Sequence, residues 1–189
     1  MFNGNNSKRK KISKYRRGAI VEENIAVIYL LLFFLCFPMI DLAMIAVRTF
    51  FLWFACEQGA MAGAKGTVWS TSTYKNNYYT CIQTQAINTA NKVISMFSGV
   101  TVTSGPTLTV IAQAIPNTSG ATINPYSPST STYLDKSLYV PLLQVSMTGK
   151  VQPFITIPFI PGNIPGLNAP FTINVSSEQQ IENITALSY

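Results

Sequence analysis

Seven of the chain's 13 Lys and Arg residues lie within its first 17 positions, and an apolar run follows them almost at once. The seven leader cations are Lys8, Arg9, Lys10, Lys11, Lys14, Arg16 and Arg17. The apolar run extends from Ile25 to Ile40. Basic residues beside an apolar span stay on the cytoplasmic side of a membrane. The order therefore predicts a single-span anchor whose N-terminus is inside and whose remaining residues are exported.

The formal charge of +6 describes the leader rather than the rest of the chain. The chain from Gly18 onward contains six basic and seven acidic residues, so its net charge is −1. A nucleic-acid-binding face needs its cations on a folded domain. We therefore expect no nucleic-acid partner and attribute the cations to membrane topology.

The exported part is poorly supplied with the side chains that catalysis uses. The chain has no histidine, which removes the commonest general base and the commonest zinc ligand. Beyond the helical region its carboxylates are only Asp135, Glu178 and Glu182, so a paired acid–base site is hard to build. We expect no enzymatic activity, no metal ion, no cofactor and no small-molecule substrate.

Composition divides the chain into three parts. Residues 1–18 form a basic cytoplasmic leader, whose polar first 17 residues we expect to be disordered. Residues 19–65 form a helix that would be about twice as long as the hydrocarbon core of a bilayer is thick. Its part up to Ile40 would span the lipid, which places Asp41 and Arg48 at or beyond the outer interface, where charge is less costly. Residues 66–189 form the exported head.

The head is predicted to be an α+β domain. After a polar connector at 66–77, apolar residues from Tyr79 to Phe97 recur every three or four positions, which predicts an amphipathic second helix. Beyond Gly99 the period changes to two, which predicts a small antiparallel sheet. The expected strands are 100–103, 108–112, 138–151 and 171–175, with a turn at 104–106 and a long loop at 116–132. Prolines exclude an interior strand or a long helix at 154–167.

The half of the first helix that protrudes from the membrane is itself very apolar, above all at Phe50–Phe54. We expect it to pack on its own head, against the second helix, or on another subunit. Cys56 and Cys81 lie on the exported side, where disulfides persist, and a bridge between them would join the two helices. The sequence leaves this bridge open, because it does not give the separation of the two Cα atoms.

A cleavage motif lies where the leader meets the helix. If the chain is cut after Gly18, Ala19 becomes the first residue and Glu23 the fifth. Glycine lets a protease approach the backbone closely, and the cut releases an α-amine that is cationic near neutral pH. In a filament of packed helices the Glu23 carboxylate would neutralise this amine, in its own or a neighbouring subunit. The arrangement resembles the prepilin-peptidase site of type IV pilin-like proteins.

Residues 18–65 resemble the TadE-like family of the tight-adherence (Flp-type) pilus system. The resemblance is carried by Arg17–Glu23, by the end of the apolar run at Met39–Leu42, and by the helical stretch Ala55–Ala62. The chain departs from the family at Asn24, where Phe or Tyr is usual. The resemblance implies a pseudopilin or minor pilin that a prepilin peptidase processes after Gly18. Its partners would be other pilin or pseudopilin subunits and the assembly platform, in the bacterial inner membrane and, after processing, in an extracellular filament.

Two other interpretations use the same residues. An uncleaved, signal-anchored structural or binding protein of the envelope would have the same topology without processing. A membrane-tethered hydrolase would have to use scattered Ser and Thr with Asp135, Lys136 and Lys150, and no strand–turn–helix elbow supports it.

Overall fold

The computed structural model describes the backbone of residues 6–69, 80–115, 124–126, 128, 134, 137–155, 162–183 and 187. Side chains are described within these ranges from Asn24 onward, except at 124–126. The described part contains two helices and a four-stranded antiparallel sheet, so the fold is α+β, as the sequence predicts. The elements are α1 (Asn6–Ala64), α2 (Ile82–Ile94), β1 (Val100–Ala114), β2 (Asn124–Tyr126), β3 (Tyr139–Val151) and β4 (Phe171–Gln180).

Helix α1 ends one residue before the predicted end at residue 65, but it begins in the leader. The expectation of a disordered leader is therefore wrong for the backbone from Asn6 onward. Lys and Arg are good helix formers, and a glycine such as Gly18 costs only about 1 kcal/mol in a helix interior. Nothing between Asn6 and the apolar run is therefore strong enough to end the helix.

Helix α2 is amphipathic as predicted, although it is shorter than the predicted 79–97. Its buried residues are Ile82, Ala86, Ala90 and Ile94, each four positions from the next, so they form one face. Phe97 lies beyond the helix, where its ring stacks on Phe51 of α1 with the ring centroids 3.9 Å apart.

The sheet has the order β2-β1-β3-β4. The predicted turn at 104–106 is wrong, because 100–114 form one long strand that pairs with β3 on both sides of these residues. Strand β1 has more residues than β3 over this stretch, and the pairing register between the two strands shifts on either side of Ser104. Gly105 has a φ of +97°, which glycine adopts readily, so the strand continues through the distortion.

Strands β3 and β4 occupy the predicted positions, and β4 extends to Gln180. The predicted loop at 116–132 contains β2, in which Tyr126 pairs with Val110 of β1. Most of that loop, and the connector from residue 70 to residue 77, lie outside the described residues.

The head has two ends, which we call the Asp41 end and the Ala64 end after the residues of α1 that lie there. At the Asp41 end, the Asp41 side chain bonds to the chain just after β3. At the Ala64 end, the carbonyl of Ala64 accepts a hydrogen bond from the Glu182 N–H, just after β4. The connection between β3 and β4 therefore lies at the Asp41 end, and the connection between β1 and β3 lies at the Ala64 end.

The second half of α1 forms the centre of the head core. Leu52, Ala55, Cys56 and Ala60 are completely buried, and they belong to one cluster with residues of α2 and β3. Helices α1 and α2 approach closely at Gly59, where an added Cβ would lie 2.9 Å from the carbonyl oxygen of Ala86. The expectation that the protruding half packs on its own head is confirmed for this face, which contacts the sheet as well as α2.

Candidate functional site

The surroundings of α1 change at one position. Among the described residues, Asn24 to Cys36 are all exposed, and Asp41 is the first that is buried. Between Asn24 and Ala64 the helix is long and apolar enough to cross a membrane. A single long apolar helix near the N-terminus is compatible with a single-pass membrane anchor. The candidate site is therefore this exposed run together with the junction where the head first contacts it.

The part of α1 between the predicted cleavage position and the junction has the length of a bilayer core. From Ala19 to Ile40 there are 22 residues, which span about 33 Å at about 1.5 Å per residue. The hydrocarbon core of a typical bilayer is about 30 Å thick. The head therefore begins about one bilayer thickness along the helix from the predicted cleavage position.

Asp41 fastens the head to the helix at this junction. Its Oδ1 accepts hydrogen bonds from the backbone N–H groups of Phe154, at 3.0 Å, and Ile155, at 2.8 Å. The residue is 0 % exposed, and its Oδ2 is buried without a hydrogen-bond partner among the described residues. Asp41 is therefore covered by its own head, because the chain after β3 folds over it. Its place at the outer interface of a membrane stays a prediction.

We expect Asp41→Ala to destabilise the head by about 2 kcal/mol, because two backbone donors would lose a charged acceptor and stay partly buried. Denaturant unfolding in detergent would measure the loss, and amide hydrogen exchange at Phe154 and Ile155 would locate it. Asp41→Asn is the matched control, since it keeps one carbonyl oxygen as acceptor and should cost less. Equal stability of Asp41→Ala and wild type would show that these bonds do not hold the junction.

Two further polar side chains of α1 bind the head above the junction. The Arg48 guanidinium donates a hydrogen bond to the carbonyl oxygen of Gln152. The Glu57 carboxylate accepts hydrogen bonds from the Ser177 hydroxyl and from the Gln179 amide, the latter at 2.7 Å. Because all the partners lie more than 100 residues away in sequence, no local pattern could have predicted them. Together with Asp41 they fix the rotation of the helix against the sheet.

The two cysteines whose bridge the sequence leaves open, Cys56 and Cys81, are free thiols in this structure. The Cys56 sulfur faces the carbonyl oxygen of Val175 at 3.8 Å, and the Cys81 sulfur faces that of Trp69 at 3.3 Å. Each thiol thus has its own backbone acceptor, and the structure contains no bond between the two sulfur atoms.

The leader residues singled out by the sequence lie where the structure describes only the backbone. Gly18, Ala19 and Glu23 are within α1, and so are the seven leader cations. Their side chains are outside the described residues, so the pairing of Glu23 with the Ala19 amine stays a prediction.

Among the described residues, no group of three or more His, Cys, Asp or Glu side chains could hold a metal ion.

An aromatic surface faces outward just beyond the junction. Phe50 and Trp53 are exposed, with ring centroids 5.7 Å apart, and Phe54 stacks on Phe50 at 6.2 Å. The protruding half is thus only partly covered by its own head.

Comparisons with protein-family models, with curated proteins and with solved structures found no match.

Proposed function

We propose that the chain is a pseudopilin-like subunit, of TadE-like type, of a tight-adherence pilus or secretion system. It is inserted in the bacterial inner membrane with its leader in the cytoplasm and its head exported. A prepilin peptidase cuts it after Gly18, and the mature chain, 19–189, joins other pilin or pseudopilin subunits at an assembly platform. In this proposal the chain is the substrate of an enzyme and has no catalytic role itself.

The observation that supports the proposal best is the division of α1 into two halves with different surroundings. Its first described part is apolar and exposed, whereas Leu52, Ala55, Cys56 and Ala60 in its second half are buried in the head. A subunit that moves from a membrane into a filament needs such a helix, because the exposed half must pack first on lipid and then on other helices. The buried half would keep the head rigidly attached during that transfer.

The charges of the helix start support the same proposal. The leader cations favour a cytoplasmic N-terminus. After cleavage, the stretch from Ala19 to Ile40 would carry three charges: the Ala19 ammonium group and the carboxylates of Glu22 and Glu23. Inside a packed helix bundle, the ammonium group and the Glu23 carboxylate would pair. The exposed aromatic residues Phe50 and Trp53 would add a second contact between neighbouring helices.

We expect Gly18→Val to block processing. The full-length chain would be produced together with a prepilin peptidase of a tight-adherence system, and its intact mass and N-terminal sequence would be measured. The wild type should be recovered mainly as a 171-residue chain that begins at Ala19 (189 minus 18). The variant should keep all 189 residues, because a β-branched side chain before the cut hinders approach of the protease to the backbone.

Gly4→Val is the matched control, since it makes the same substitution in the leader away from the cut. It should be processed like the wild type. Recovery of the wild type at full length under these conditions would instead support the uncleaved, signal-anchored envelope protein.

A further inference from the structure

The connection between β3 and β4 is unusually apolar for a loop. We call residues 152–170 the apolar loop; it contains 19 residues, none of them charged. Its large apolar residues are Phe154, Ile155, Ile157, Phe159, Ile160, Ile164 and Leu167. Among its described residues, Phe154 is 57 % exposed and Ile164 is 42 % exposed. Connections of this length in a compact domain usually have a function.

The opposite end of the head provides an internal comparison. The loop predicted at 116–132, between β1 and β3, is also long and rich in proline. It consists mainly of Ser, Thr, Asn, Pro and Gly, and its only Ile, Leu, Val, Phe or Met residue is Ile123. That loop belongs to the Ala64 end, whereas the apolar loop belongs to the Asp41 end. Of these two long loops, the one rich in large apolar residues is therefore the one at the Asp41 end, where the exposed run of α1 ends.

Contacts with α1 place the apolar loop beside the end of that run. Asp41, which directly follows Ile40, accepts the N–H groups of Phe154 and Ile155. One turn further along, the Ile45 side chain lies against Gly166. Phe154 is thus fixed at the depth where a helix that spans a bilayer from Ala19 would leave the hydrocarbon core.

Several backbone N–H groups in the described part of the loop have partners within the protein, as a position with little water requires. Irregular backbone is tolerated beside lipid only where its polar groups have partners within the protein. The N–H of Ile164 donates to the Asn168 side chain at 2.6 Å, and the N–H of Gly166 donates to the Ala169 carbonyl at 2.8 Å. Asp41 serves Phe154 and Ile155 in the same way. Five prolines, at 153, 158, 161, 165 and 170, have no N–H to satisfy.

From these observations we infer that the described ends of the apolar loop form a membrane-contact surface, with Phe154 and Ile164 inserted into the outer leaflet beside the anchor helix. The inference rests on the membrane anchoring proposed above and adds a second point of attachment. The partner is the lipid surface itself, because the surface is continuous with the exposed run of α1. Two points of attachment would set the tilt of the head on the membrane before the subunit is extracted.

Single-tryptophan variants of the full chain would test this inference. Trp53 and Trp69 are first replaced by Phe, and a tryptophan is then introduced by Phe154→Trp or Ile164→Trp. The protein is reconstituted in phosphatidylcholine–phosphatidylglycerol vesicles whose lipids are brominated near the headgroup end of their acyl chains. Both indoles should lose about half of their emission, because interfacial side chains enter about 5–10 Å into the headgroup–acyl boundary.

Two controls separate the inference from the anchoring on which it rests. Phe33→Trp lies in the exposed run and should be quenched by lipids brominated deeper in the chain. Leu138→Trp lies at the Ala64 end and should not be quenched. If Phe33→Trp is quenched but Phe154→Trp and Ile164→Trp behave like Leu138→Trp, the apolar loop does not touch lipid and the inference is wrong.

Two other results would also overturn the inference. An indole at 154 that emits at short wavelength but is not quenched would be covered by protein, such as a second copy of the chain. Absence of quenching in all four variants would overturn the membrane anchoring and the loop insertion together.

Discussion

Leu52→Ala should lower the free energy of unfolding of the head by about 3 kcal/mol, which is typical of a buried leucine whose removal leaves a cavity. Leu52 is 0 % exposed, and its side chain lies over Gly149 of β3. Neither Gly149 nor the helical backbone carries atoms that could move in to fill the space. The loss should separate α1 from the sheet rather than disturb α2. Denaturant unfolding of the full chain in detergent, followed by near-ultraviolet circular dichroism, would measure it.

Leu42→Ala is the matched control on the same helix. Leu42 is 57 % exposed, so its truncation removes no core contact and should change the free energy of unfolding by less than about 0.5 kcal/mol. Similar losses for the two variants would mean that the second half of α1 is not the centre of the core.

Glu23→Leu should reduce incorporation into filaments by more than about 100-fold, because breaking a buried ion pair leaves an uncompensated charge at a cost of about 3–5 kcal/mol. The charge left over would be the ammonium group of Ala19. Cleavage after Gly18 should continue, so the defect would lie in assembly rather than in processing. Sheared filaments and membrane fractions from cells that produce the variant, compared by immunoblotting, would separate the two steps.

Glu22→Leu provides the control, since it removes the same charge one residue earlier, on a different side of the helix. It should assemble close to wild-type level. If Glu23→Leu assembles as well as Glu22→Leu, the proposed pairing with the Ala19 amine is wrong.

Periodicity predicted those elements whose formation depends on local patterns. The four-residue spacing from Ile82 to Ile94 predicted the buried face of α2, because that spacing alone aligns side chains on one side of a helix. The alternation at 138–151 predicted β3 in the same way. The end of α1 near Lys65 followed from the polar sequence rich in Ser, Thr and Asn that begins there with Gly66.

Local patterns failed where a distant segment decided the outcome. Ser104, Gly105 and Pro106 are turn residues by composition, but β3 pairs with the chain on both sides of them and extends the strand through the irregularity. Asp41 was expected at or beyond the outer interface of a membrane because it ends an apolar run, and nothing nearby in sequence indicated that the head buries it. Its Oδ1 accepts backbone N–H groups 113 and 114 residues away, which carry no signal in the side chains of Phe154 and Ile155.

The sequence by itself determined an apolar helix behind a basic leader and an α+β head, because hydrophobic periodicity and charge asymmetry act on each segment independently of the rest. Only the tertiary structure decided that Asp41 is buried and that the apolar loop lies beside the exposed run of α1. Both features depend on the strand pairing, which places the connection between β3 and β4 beside Asp41. Register and topology depend on how all segments bury their apolar faces at once, and no single stretch of residues specifies that arrangement.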